Sequence, residues 1–144
     1  MRTSAAATDT IELRIAARAE NVALARLTLT GVAAAAGAPP DVVADLKLAV
    51  SEACTNAVQH AYGGSSGDPD GQVILRFVVA DRELLVEVED DGSGFELVTR
   101  ESWEDGERPG RGLGMGLTIV RSVTDELEIE SGGKGSRVAF SKKF

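Results

Sequence analysis

Three side chains of different chemistry fall four residues apart at Glu52, Asn56 and His60. On an α-helix each is turned only about 40° from the last, so the three would form one polar ridge. A carboxylate can accept a proton or orient a water, and an amide oxygen is a hard ligand suited to Mg²⁺. A solvated helix face is the plain alternative for any such ridge. Two details weigh against it. The ridge mixes a carboxylate, an amide and an imidazole where a solvated face would show Lys and Glu. Its neighbours Ser51, Ala53, Cys54, Thr55 and Ala57 are all small, which leaves room for something to lie against it. His60 closes the ridge, and a cap or hydrogen bond at the helix end accounts for it as a structural residue. Cys54 reads as a small packing residue and not as a reactive thiol.

A second feature is Glu89-Asp90-Asp91-Gly92-Ser93-Gly94-Phe95, placed directly after a strand-like run. A carboxylate at a strand end followed by Gly-x-Gly lets backbone approach a ligand closely while one acid accepts a specific hydrogen bond. By itself this is also how a plain Asp-Gly turn looks. The third feature is Gly110-Arg111-Gly112-Leu113-Gly114-Met115-Gly116-Leu117. Glycines at alternate positions before a helix N-terminus make a phosphate cradle, with open N–H groups and the positive end of the helix dipole. No Gly-Lys-Ser/Thr follows, so this is not a Walker loop, and the βαβ setting of a Rossmann loop is missing. A flexible linker is the alternative, but linkers do not usually run straight into an apolar start such as Leu117-Thr118-Ile119-Val120.

The elements that must position these residues can be read from periodicity. Ile11, Leu13 and Ile15 alternate with polar residues, so a strand is predicted over Thr10–Ala16 after a flexible tail at residues 1–9. Val22, Ala25, Leu29 and Val32 change the period to that of a helix from about Glu20 to Ala36, ended by Gly37 and Pro39-Pro40. Gly31 interrupts that pattern. A longer helix follows over Asp41–Ala61, with Val43, Leu46, Val50, Ala53, Ala57 and Ala61 as its apolar stripe. Tyr62–Gly71 reads as a loop, then Gln72–Ala80 and Glu83–Glu89 as a hairpin across Asp81-Arg82. Gly92–Gly114 is a long charged and Gly-rich connection with Trp103 as an anchor, of the kind used for a lid. A helical pattern over Leu117–Val123 precedes a second hairpin, Glu126–Ser131 and Ser136–Ser141. The chain therefore reads as one α+β domain over residues 10–144. The predicted form is a two-layer sandwich, a mixed, mostly antiparallel sheet with helices on one face.

Composition restricts the function classes. With 144 residues, 43% hydrophobic and 26% charged, the chain suits one compact domain. No run reaches the roughly 20 apolar residues of a membrane helix, and Met1–Ala7 lacks the apolar stretch of a signal peptide. A single cysteine excludes an internal disulfide, which together with these features leads us to expect a cytoplasmic protein. A net charge of −8 argues against direct contact with nucleic acid.

Taken in order, an Asn helix, an Asp-x-Gly-x-Gly loop and a Gly-x-Gly-x-Gly loop resemble the nucleotide-binding boxes of the gyrase, heat-shock chaperone, histidine-kinase and MutL (GHKL) superfamily. Val50–Tyr62 resembles the first box of anti-sigma-factor serine kinases of the SpoIIAB and RsbW type. Gly114–Val120 and Thr124-Asp125-Glu126-Leu127 resemble that family's third box and helix, and the resemblance runs from about Ile11 to Phe144. It implies a Bergerat-type ATP-binding fold and an ATP-dependent serine kinase that sequesters an alternative sigma factor. Its substrate would be a serine of an anti-anti-sigma (STAS) protein, and it would act as a homodimer. By the same resemblance Glu52 is the general base, Asn56 a ligand of Mg²⁺, and Asp90 the acceptor for the adenine amino group. Gly92 and Gly94 then make room for base and ribose. Gly112, Gly114 and Gly116, with Met115 and Leu117 in the same run, wrap the triphosphate, and Arg111 adds positive charge. Ser136 stands where the family often has Thr near the adenine. Arg26 resembles an arginine at the sigma-factor contact, though a surface arginine on an amphipathic helix explains it as well. Three other readings share these boxes: a sequestering ATP-binding module with little kinase activity, a stressosome-type switch kinase, and a histidine-kinase catalytic domain. The last would need a helical hairpin bearing a phospho-accepting His, and residues 1–40 contain no His.

Overall fold

The computed structural model describes residues 7–62, 71–91, 114–132 and 135–144. Strand β1 spans Ala7–Ala16, followed by a 3-10 turn at Ala19–Asn21 and helices α1 (Val22–Ala35) and α2 (Pro40–Tyr62). Strands β2 (Gln72–Ala80) and β3 (Glu83–Asp90) come next, then α3 (Gly114–Val123), β4 (Glu126–Gly132) and β5 (Gly135–Lys143). The sheet order is β1-β2-β3-β5-β4, and all four pairings are antiparallel. The predicted two-layer α+β sandwich is present, while the parallel component that a mixed sheet allows is absent among the described strands.

The alternation in β1, β2 and β3 sends one set of side chains toward the helices. Leu75, Phe77, Val86 and Val88 are buried there, joined by Phe140 of β5. The opposite face carries a charged ladder. Arg76 of β2 meets Glu12 of β1 at 3.3 Å and Glu89 of β3 at 2.6 Å, and Arg137 of β5 pairs with Glu87 of β3. A one-residue slip would turn these charges into the core, so the two faces together hold the register.

Helix α2 lies over β2, β3 and β5, with α1 along one flank and α3 along the other. That central seat explains why more of it is buried than one stripe predicts. Leu46, Val50, Ala53 and Ala57 are buried as expected, but so are Val42, Ala49, Cys54 and Val58, while Val43 is only partly covered. On α1 the buried set is Val22, Ala25, Leu29 and Ala33. Helix α1 ends as its glycine predicts. Gly37 has φ +84, its N–H reaches the Ala34 carbonyl at 3.1 Å, and the Ala38 N–H reaches that of Ala33 at 3.0 Å. This is the Schellman arrangement, and it turns the chain into Pro40, whose missing N–H costs nothing at a helix start.

Several boundaries differ from expectation. Strand β1 begins at Ala7, not Thr10, because β2 is long enough to pair with it up to Ala7↔Ala80 across an irregularity near Asp9. Strands β4 and β5 also run further, to Gly132 and from Gly135 to Lys143. Helix α3 begins at Gly114, not Leu117, so Gly114, Met115 and Gly116 form its first turn. The first N–H groups of a helix need no intrahelical partner, and this tolerance lets glycines open one.

Candidate nucleotide and phosphotransfer site

Packing of α2 against sheet and neighbours leaves one strip of it uncovered. Glu52 and Asn56 are half-buried on that strip, with Thr55 and Gln59 exposed beside them. No hydrogen bond or ion pair ties the Glu52 or Asn56 side chain to another described residue. A half-exposed carboxylate and amide with no partner among the described residues are open to water or to a ligand. Helix α3 closes on the same strip. A Cβ placed on Gly116 would come 3.0 Å from Glu52 Oε1, so the first turn of α3 rests against this carboxylate because residue 116 has no side chain. That turn also brings open helix N–H groups, which suit phosphate oxygens, to the neighbourhood of Glu52.

The second cluster lies where β3 ends. Asp90 faces the helix side of the sheet and is 8% exposed. Ser136, its register partner on β5, is equally buried and donates its hydroxyl hydrogen to Asp90 Oδ2 at 2.5 Å. Gly135 makes this approach possible. It has φ +134, and a Cβ there would overlap the Asp90 carbonyl oxygen and stand 3.3 Å from Asp91 Cα. Sequence reading missed Gly135 as a site-forming residue. Its only signal was the Gly-Gly-Lys-Gly run, which reads as a turn without telling which glycine is obligatory. Asp91, next along, pins the start of β2 by accepting the Gln72 N–H at 3.2 Å.

The other expected residues divide clearly. Leu117 is fully buried in the core, so only its backbone can face a ligand, and Met115 is 79% exposed at the start of α3. Gly92, Gly94, Trp103, Arg111 and Gly112 lie outside the described residues, as does the side chain of His60. Arg26 does not join either cluster. It lines a separate cavity of about 370 Å³ between α1 and α2, with Glu20, Thr55, Val58 and Gln59. Its charge nevertheless reaches Cys54. Burial pushes the Cys54 thiol up to about 11, and Arg26 offsets only part of that, so Cys54 stays a neutral packing residue. Among the described residues no three of His, Cys, Asp and Glu gather to hold a metal. The donor set at Asn56 still fits Mg²⁺, which is commonly held by one or two protein oxygens together with substrate phosphates and water.

Residues 15–142 match the histidine kinase-like ATPase domain family. Serine-protein kinase RsbW of Bacillus pumilus is 41% identical over 143 residues, covering 93% of this chain and 85% of that protein. RsbW of Bacillus subtilis is 39% identical with the same coverage, and that of Listeria monocytogenes 38% over 84% of this chain and 79% of its own. Among solved structures, the RsbU and RsbW domains of a Mycobacterium tuberculosis protein align over 94% of this chain and 32% of that one. Their TM-score is 0.69 at 21% identity, a likeness of fold. A histidine kinase domain from Erythrobacter litoralis aligns over 97% of this chain and 69% of its own, with TM-score 0.55 and 26% identity. Matches of this extent, on a fold whose α2, β3 and α3 carry the expected groups, establish that the chain belongs to the histidine kinase-like ATPase domain family, within its RsbW serine-protein kinase branch.

Proposed function

We propose that this protein is an anti-sigma factor that binds Mg-ATP, sequesters an alternative sigma factor and phosphorylates a serine of a STAS-domain protein. The observation that carries the catalytic part is the pairing of Glu52 and Asn56 on α2, half-buried and without a side-chain partner among the described residues, with Gly116 closing on the carboxylate. A pure nucleotide binder needs no carboxylate there. In transfer, the serine oxygen bonds to the γ-phosphorus, the bond from that phosphorus to the β,γ-bridging oxygen breaks, and ADP leaves. Glu52 takes the hydroxyl proton. Asn56 would supply one oxygen to a bound Mg²⁺, and the ion would supply charge neutralisation for the phosphates. Asp90 accepts the adenine amino group, and by the family resemblance Gly92 and Gly94 leave room for base and ribose. The first turn of α3 meets the triphosphate, and the family resemblance assigns Arg111 and Gly112 to the same group. Arg26, exposed on α1, is the proposed contact to the partner protein, and the protein acts as a homodimer in the cytoplasm.

The test is incubation with Mg-ATP and a STAS protein encoded by the same bacterium. Phosphoserine should appear on the STAS protein, and Glu52→Gln should slow its formation by about 10²- to 10⁴-fold, the usual contribution of a general base. If ATP binds and the phosphoserine yield is the same in wild type and Glu52→Gln, the assignment of the base fails. If no STAS protein is phosphorylated, the kinase reading fails.

A further inference from the structure

We infer that Met115 is a modification site, a thioether whose oxidation to the sulfoxide weakens ATP binding at the start of α3. The consequence for ATP rests on the proposed function, in which the first turn of α3 meets the triphosphate. Sulfur occurs in this chain only at Met1, Cys54 and Met115. Cys54 is fully buried, and burial holds its thiol protonated, so it presents no thiolate to an oxidant. Met1 lies outside the described residues. Met115 is the opposite case to Cys54. It is 79% exposed, more than any other large apolar side chain among the described residues. Its neighbours Gly114 and Gly116 offer no side chain to cover it, and Leu117 and Val120 supply the buried face of α3 without it.

A thioether needs no deprotonation to react, so exposure is enough to admit a peroxide. A sulfur lone pair attacks one peroxide oxygen, the S–O bond forms and the O–O bond breaks. Sulfur gives up two electrons, and the departing hydroxide takes the remaining proton and leaves as water. An apolar, flexible side chain has become a polar one. Its place on the helix decides the effect. Side chains on an α-helix lean toward the N-terminus, which carries the Met115 sulfur toward the open N–H groups of this first turn. The sulfoxide oxygen is the negative end of a dipole and a hydrogen-bond acceptor. It competes with phosphate oxygens for those N–H groups and repels their charge. The helix start that favours a bound anion is then partly satisfied by the protein's own oxygen.

The experiment treats the full chain with hydrogen peroxide and maps added oxygen by peptide mass spectrometry. The Kd for Mg-ATP is measured before and after, with a thermal melt of each sample as a folding check. Wild type should gain oxygen at Met115 and none at Cys54, with its melting temperature unchanged. Its Kd for ATP should rise about two- to fivefold, the size of a charge effect at a helix start. Methionine sulfoxide reductases of both epimer specificities should restore the untreated value. Met115→Leu, compared with its own untreated form, should show no change in Kd after peroxide. The inference is overturned if Met115 resists peroxide that oxidises the urea-unfolded chain, or if its sulfoxide leaves Kd unchanged. A rise in Kd that persists in treated Met115→Leu, or that tracks a fall in melting temperature, overturns it as well. Failure of the underlying reading looks different. Untreated wild type then binds no ATP although the sulfoxide still maps to Met115, and the consequence for ATP falls with it.

Discussion

Glu52 is held in place by an absence. Glycine at 116 allows the first turn of α3 to sit 3.0 Å, measured to a notional Cβ, from Glu52 Oε1. An alanine there would force the carboxylate aside by a few tenths of an ångström, small for binding and large for proton transfer. We expect Gly116→Ala to lower kcat by about tenfold or more, since displacements near 1 Å can cost about a hundredfold. Steady-state phosphorylation of a STAS substrate, with KM for ATP determined in parallel, checks this. A change confined to KM would place the effect on nucleotide binding instead. The same residue scale shows the limit of motif reading. Leu117, within the glycine run, is a core residue, and Gly135, outside any expected site, is the one that brings Ser136 to Asp90.

Two glycines of the α1 segment, six positions apart, should respond oppositely to alanine. Gly31 lies inside α1 with no atom within 4 Å of a notional Cβ, so it contributes only backbone freedom to the unfolded chain. Gly31→Ala should stabilise by about 0.5–1 kcal/mol. Gly37 holds φ +84 at the helix end, where an L side chain is strained, and Gly37→Ala should destabilise by about 1–2 kcal/mol. Urea midpoints at unchanged slope test both. Sequence periodicity found both helices, and it also found which glycine ends α1. It misjudged the start of α3 because a helix beginning has no pattern of its own. Its first turn is set by what packs beneath, here Leu117 and Val120 in the core.

Across the whole molecule, Cys54 offers a report on opening. It is fully buried on α2, and burial raises its thiol from an ordinary value of 9.0 to about 11. Below pH 9 the thiol is protonated folded or unfolded and contributes no pH dependence. Between about pH 9 and 11 the unfolded chain releases its proton while the folded chain keeps it, so stability should fall as pH rises. Urea midpoints across that window should drop in wild type and drop less in Cys54→Ala. At pH 8 an alkylating reagent should reach Cys54 only through opening. ATP at about 100 times its Kd should slow the labelling by up to about a hundredfold, because it binds the folded state alone. Labelling as fast with ATP as without it would mean that Cys54 is exposed by a local motion the nucleotide does not restrain.

Residue order along the chain determined the class of this protein. The ridge at Glu52 and Asn56, the acid-glycine turn at Asp90 and the glycines before Leu117 are local patterns, and periods of two and 3.6 assign their strands and helix without any tertiary information. What tertiary structure decided was contact between segments distant in sequence. That Gly116 rests on Glu52 depends on how α3 packs beside α2. That Ser136 bonds Asp90 depends on β5 entering the sheet between β3 and β4 in one register. Side-chain types report the chemistry a position can do, but distances across 46 and more residues arise only when the core closes.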